Sequence, residues 1–187
     1  MKVEEGSLAG KFLVAMPGLK DPNFERAVIF VCAHSPEGAL GLVINQPHSI
    51  SLDEILDQLC LTWERSELPL VYQGGPVSPD RGFVLFETPV EIPGHMEITP
   101  GLFLGTNPDL LKHFGEADNS SKFLFVLGYA GWGDGQLETE LRENVWLIGD
   151  FDRSIVFDLP PAMRWTKAIQ SMGIDITQLV EAGRALN

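Results

Sequence analysis

Two β-forming runs on either side of a four-residue turn constrain this chain more than any other feature. Arg26-Ala-Val-Ile-Phe-Val-Cys-Ala-His34 is rich in β-branched and aromatic residues, and Ala39 to Asn45 is a second apolar run. Between them stands Ser35-Pro36-Glu37-Gly38, where Pro presets φ and Gly supplies a positive φ. So short a connection requires antiparallel pairing, since parallel strands need a long crossover. Other strand-like runs follow. Phe12 to Met16 reads as a buried strand, Leu70 to Gln73 as one ending in Gly74-Gly75-Pro76, and Gly82 to Glu87 as another. His95 to Ile98 and Leu102 to Gly105 flank Pro100-Gly101, and Lys122 to Tyr129 is a long apolar strand. Val145 to Ile148 and Ile155 to Phe157 complete the set.

Helices are marked by their ends. Ser51-Leu-Asp-Glu54 is a capping box, and Leu52, Ile55, Leu56, Leu59 and Cys60 behind it recur at the spacing of one helical face. Asn107 with Pro108 opens a short helix through Phe114. A helix to about Arg142 follows a Gly-rich stretch. Pro161 begins another, with Trp165, Ile169 and Met172 on one face and Gly173 at its end. Asp175 caps a last helix through about Ala182. No repeat or linker interrupts the chain. The expected fold is one α+β domain over residues 1–187, with a mixed or mainly antiparallel, curled sheet. A doubly wound dinucleotide fold fits less well.

Charge narrows the partners. The formal net charge is −13, and the 13 Lys and Arg never form a run of three. Direct nucleic-acid binding needs clustered cations to neutralise phosphates, so DNA contact is disfavoured, as is an anionic membrane surface. Cys32 and Cys60 both lie in apolar patterns and are expected to be buried free thiols of a reducing compartment. The acidic N-terminus and the short Phe12–Met16 run do not make a signal peptide, and no run approaches a membrane span. A cytoplasmic location is expected.

The stretch Gly128-Tyr-Ala-Gly-Trp-Gly-Asp-Gly-Gln-Leu-Glu138 stands where a strand should pass into a helix, a place where ligands often bind. It lacks the dinucleotide fingerprint, and the chain has no phosphate loop, nucleophile elbow or zinc-hydrolase motif. No cofactor or metal is called for. Asp134 occupies the N-cap position and would take the free N–H groups that an anion would otherwise meet. Trp132 is either a stacking surface or a lock onto the core. Gly74 and Gly75, with Arg81 just beyond, are either a small anion nest or a packed turn. Among the histidines His34, at a strand end, is the best functional candidate. Catalysis by Glu138 with Asp134 or Glu140 would need a cleft that sequence does not reveal.

Four ordered patches make the chain resemble the AlgH/YqgE family of bacterial proteins from end to end. They are Phe12 to Phe24, His34 to Asn45, Gly74-Gly-Pro-Val77 with Arg81 to Leu85, and Gly128 to Trp132 with Gly135 to Glu138 and Asn144 to Trp146. The resemblance implies an α+β fold with a barrel-like, bifurcated sheet. It implies no established activity, although members often carry the label of transcriptional regulator. Two positions depart from the family pattern: Phe86 and Arg184 stand where relatives commonly have His. His34 is retained.

Three functional readings follow. The favoured one is a binding or regulatory module that acts through an unidentified protein partner, without chemistry. The second is a small-ligand binder or enzyme whose site gathers His34, Asn45, Gly74, Gly75, Trp132, Gln136 and Glu138. Direct DNA regulation is the weakest. Homo-oligomerisation is left open by the sequence.

Overall fold

Phe12–Ala15 (β1), Val28–Ser35 (β2) and Gly38–Val43 (β3) form an antiparallel meander in the computed structural model, which describes residues 6–177 and 179. The hairpin around Pro36 is the expected one, with Ser35 opposite Gly38. Leu52–Leu59 (α1) starts with both bonds of the capping box between Ser51 and Glu54. Its inner face is Leu52, Ile55 and Leu56, whereas Leu59 is exposed and Cys60, in a left-handed conformation, ends the helix. Cys60 is therefore exposed, not buried as its spacing implied. Cys32 is buried, and desolvation pushes its thiol far above the ordinary range.

Val71–Gln73 (β4), Val77–Phe86 (β5), His95–Thr99 (β6) and Leu102–Gly105 (β7) follow, then Asp109–Phe114 (α2). Phe123–Trp132 (β8) leads to Gln136–Arg142 (α3), Trp146–Gly149 (β9), Arg153–Phe157 (α4) and Pro161–Ser171 (α5). The strands join in the order β6-β7-β5-β8-β3-β2-β1-β9, with β4 also beside β8, in a sheet curled into a half-barrel. Every pairing is antiparallel except β4 with β8.

β8 is where the sheet forks. Phe125 to Leu127 pair with β5 on one edge and with β4 on the other. Beyond them Ala130 to Trp132 pair with β3. β3 lies on the edge that β4 has left, since Val43 N–H donates to Gly74 O and Gly74 N–H donates to Leu127 O. Three apolar clusters fill the faces. The first gathers Phe12, Phe30, Leu42 and Ile169, the second Leu56, Phe86, Leu110 and Phe114, and the third Leu13, Ile29, Trp132 and Trp146. Each fully buried side chain of this size contributes about 1.5–3 kcal/mol.

Two local expectations give way. Ile155 to Phe157 are helical, because Asp152 Oδ1 accepts from Ser154 N–H at 2.9 Å and starts a turn that overrides the β-branched run. The apolar strand does not stop at Tyr129 but continues to Trp132, so half of the Gly-rich stretch is strand. Asp175 does accept from Thr177 N–H, but the helix expected beyond it runs mostly outside the described residues.

Candidate functional site: an open groove beside the β2–β3 hairpin

The end of β2 carries His34, whose side chain is only 10% exposed. Leu8 N–H donates to its Nδ1 at 3.0 Å, and Nε2 lies 2.7 Å from Glu138 Oε1. Because Nδ1 accepts, the ring proton sits on Nε2 and is donated to Glu138. Ser7 Oγ also donates to His34 O. His34 thus ties β2 to α3 and holds the segment around residues 7–9. The Glu138 carboxyl is held below its ordinary value, first by its backbone hydrogen bond and then by the His34 donor.

Trp132, at the end of β8, is 7% exposed. Its indole N–H donates to Glu140 Oε2 at 2.8 Å, and Trp146 donates to the same oxygen at 2.7 Å. Gln136 Nε2 bonds the other Glu140 oxygen at 2.9 Å, while Gln136 Oε1 accepts from Gly133 N–H. Of the two expectations for Trp132, the lock holds. Asp134 does not cap α3: Gly135, at φ 65°, holds that position with no side-chain cap bond.

Above this frame lies an open groove of about 800 Å³, lined by His34, Glu37, Leu40, Val77, Tyr129 and Gly131 among others. Glu37 rises on the hairpin turn, and its carboxyl is lowered from its ordinary value by the Ser35 hydroxyl, 2.7 Å away. A smaller cleft of about 270 Å³ opens between α1, β5 and α2.

His34, Trp132, Gln136 and Glu138 are therefore brought together, and the other sequence candidates lie elsewhere. Asn45 is at the far end of the hairpin, where its Oδ1 accepts from Val28 N–H at 2.7 Å and its Nδ2 donates to Arg26 O at 2.8 Å. It clamps Arg26 in a left-handed conformation, φ 51°. Gly74 and Gly75 are buried where the chain passes from one edge of β8 to the other. A Cβ on Gly74 would come 2.3 Å from Gly128 O, and one on Gly75 2.3 Å from Tyr129 C. Only glycine admits this crossing, so the pair is packed against backbone and forms no nest for an anion. Arg81 is exposed and stacks over Phe83 at 5.2 Å. Phe86 is fully buried in the second cluster.

Sequence reasoning missed Arg164. It is 4% exposed and donates to Leu159 O, Ile44 O and the Tyr72 hydroxyl, with no carboxylate partner among the described residues. Its place four residues before Ala168 on the inner face of α5 was the available signal. Glu140 was weighed only as a possible acid, whereas its position four residues after Gln136 marks it as a partner within α3. Among the described residues no cluster of three metal-ligating side chains occurs, and no helix is long and apolar enough to cross a membrane.

Comparison with known proteins gives a consistent kinship. Residues 12–177 match the AlgH-like family. The UPF0301 protein of Magnetococcus marinus is 54% identical over 94% of this chain and 95% of its own length. That of Vibrio vulnificus is 42% identical over 96% of this chain and 100% of its own. The solution structure of the AlgH protein from Pseudomonas aeruginosa superposes with a TM-score of 0.76 at 38% identity, covering 96% of both chains. A crystal structure from Corynebacterium diphtheriae, at 18% identity and a TM-score of 0.71 over 96% of this chain and 94% of its own, shares the fold. A sheet forked at β8, the four matched patches and these relatives agree: the chain belongs to the AlgH-like family.

Proposed function

We propose that the protein is a binding module that recognises a protein partner through the groove beside the β2–β3 hairpin and performs no bond-making chemistry. One observation carries the reading. Both ring nitrogens of His34, the histidine lining the groove, are taken by Leu8 N–H and Glu138, which leaves no free imidazole at its wall. The groove is open and joins apolar surface from Leu40, Val77 and Tyr129 to polar groups of Ser7, Ser35 and Glu37, as partner-binding surfaces do. The Glu37 carboxylate in its lining and the net charge of −13 speak against phosphate-backbone contact.

A photo-crosslinking residue at Val77 tests this in cells. A discrete adduct is expected there and not at Met163, which is 56% exposed on α5. The purified partner should then bind the wild type and lose the Val77→Asp variant. Adducts of equal pattern at both positions would overturn the reading.

The volume of the groove supports a second reading, a small-ligand site, because about 800 Å³ falls within the usual range of such pockets. A thermal-shift screen against metabolites separates the two. A hit abolished by Val77→Asp would favour the ligand.

A further inference from the structure

We propose that the groove takes an extended, basic segment of the partner as an added strand on β8, hydrogen-bonded to Gly131 and laid against Glu37. The inference rests on the partner-binding reading and specifies its mode.

The backbone argument comes from ladder parity. Val43 N–H donates to Gly74 O on the β8 side of β3, whereas Ile44 N–H donates to Val28 O on the β2 side. Alternation along β3 then turns Gly41 and Ala39 toward β8, where they face Ala130 and Trp132. Gly131, opposite Leu40, directs its N–H and C=O to the other edge. On that edge β5 accompanies β8 only as far as Val77, opposite Tyr129. The chain before Val77 swings across β8 through Gly75, so β5 has no residue opposite Gly131. Gly131 is exposed and lines the groove. A strand continuing the line of β5 would find one donor and one acceptor facing it, which is how extended peptides join sheet edges.

Side chains define the chemistry of that strand. Tyr129, Val77 and Leu40 offer apolar contact on the face below it. Glu37 stands exposed on the hairpin turn, and Glu138 lies behind His34 with a side chain 44% exposed. Both carboxyls are shifted toward the charged form by hydrogen bonds. With a net charge of −13, a second copy of the chain would meet repulsion where a Lys- or Arg-bearing segment meets attraction. The expected ligand alternates apolar and basic residues.

The test begins with a random-sequence peptide library displayed on phage and selected on the whole protein. Selected peptides should be basic, should lose affinity on Val77→Asp, and should weaken severalfold on Glu37→Gln. N-methylation at single positions should cost about tenfold in affinity at the residue facing Gly131 and little at its neighbours. Peptides that depend on Val77 but tolerate N-methylation everywhere would overturn the added strand while leaving the groove in place. Peptides indifferent to Val77→Asp would overturn the groove reading itself. Sedimentation showing a dimer broken by Val77→Asp would replace the foreign segment with a second copy.

Discussion

Gly74-Gly75 and Gly131-Trp132-Gly133 use the same residue for opposite reasons. At the first, glycine admits a close approach: two backbones pass so near that a Cβ would fall 2.3 Å from the other chain segment. At the second, glycine leaves surface uncovered. A Cβ on Gly131 would come no nearer than 3.2 Å, to the Tyr129 ring edge, with Val77 at 3.7 Å, and one on Gly133 would meet nothing within 4 Å. Composition cannot tell a crossing from a clearing, and only the second has surface to offer a ligand.

Substitutions sharpen that contrast. The largest effect is expected from Gly75→Ala, whose Cβ strikes the backbone of Tyr129 at a φ of 148°. It should cost about 4 kcal/mol or prevent folding, as read by urea denaturation. Next comes Glu140→Ala, which leaves the indole N–H groups of Trp132 and Trp146 without their acceptor. A loss of about 2–3 kcal/mol is expected, with a shift in tryptophan emission that reports the released ring. Gly133→Ala should stay within about 0.5 kcal/mol of the wild type. An equal loss at Gly133 and Gly75 would erase the distinction between the two regions.

The smallest effect concerns pH. Glu138 has a folded-state pKa below its ordinary value, so its contribution is present above the unfolded pKa of about 4.3 and disappears as pH falls through the folded value. Wild type should therefore exceed Glu138→Gln in stability by a constant margin near neutrality, and the margin should close in acid below about pH 4. Chemical denaturation at stepped pH measures it, and a margin that widens in acid would contradict the assigned direction. Exposure of the Glu138 side chain keeps the margin small.

What the sequence disclosed was local. The Pro36 hairpin and the Ser51 capping box depend on residues within a few positions of each other, and both formed as read. Gly74 and Gly75 owe their necessity to Gly128 and Tyr129, far along the chain, so their reason was out of reach. At Ile155 two local signals competed, and the Asp152 cap prevailed over β propensity. The site divides the same way. His34 and Glu138 were grouped and do meet, at 2.7 Å, whereas Asn45 was grouped with them as another strand-end residue and instead clamps Arg26 at the opposite end of the hairpin. Arg164 escaped notice because an arginine on an apolar helix face looks like a surface residue until three neutral oxygens are seen around it.

The fork at β8 also sets an order of events in time. β4 and β5 are neighbours in sequence, yet they hold opposite edges of a strand that begins at Phe123. On a growing chain the β1–β3 meander can pair within itself early, leaving only its outer edges for β8 and β9, while β4 and β5 wait for a strand made much later and must leave room for it. A nascent chain stalled before Phe123 would then be half built in a particular sense: one wing of the sheet paired, the other held open around the line β8 will take.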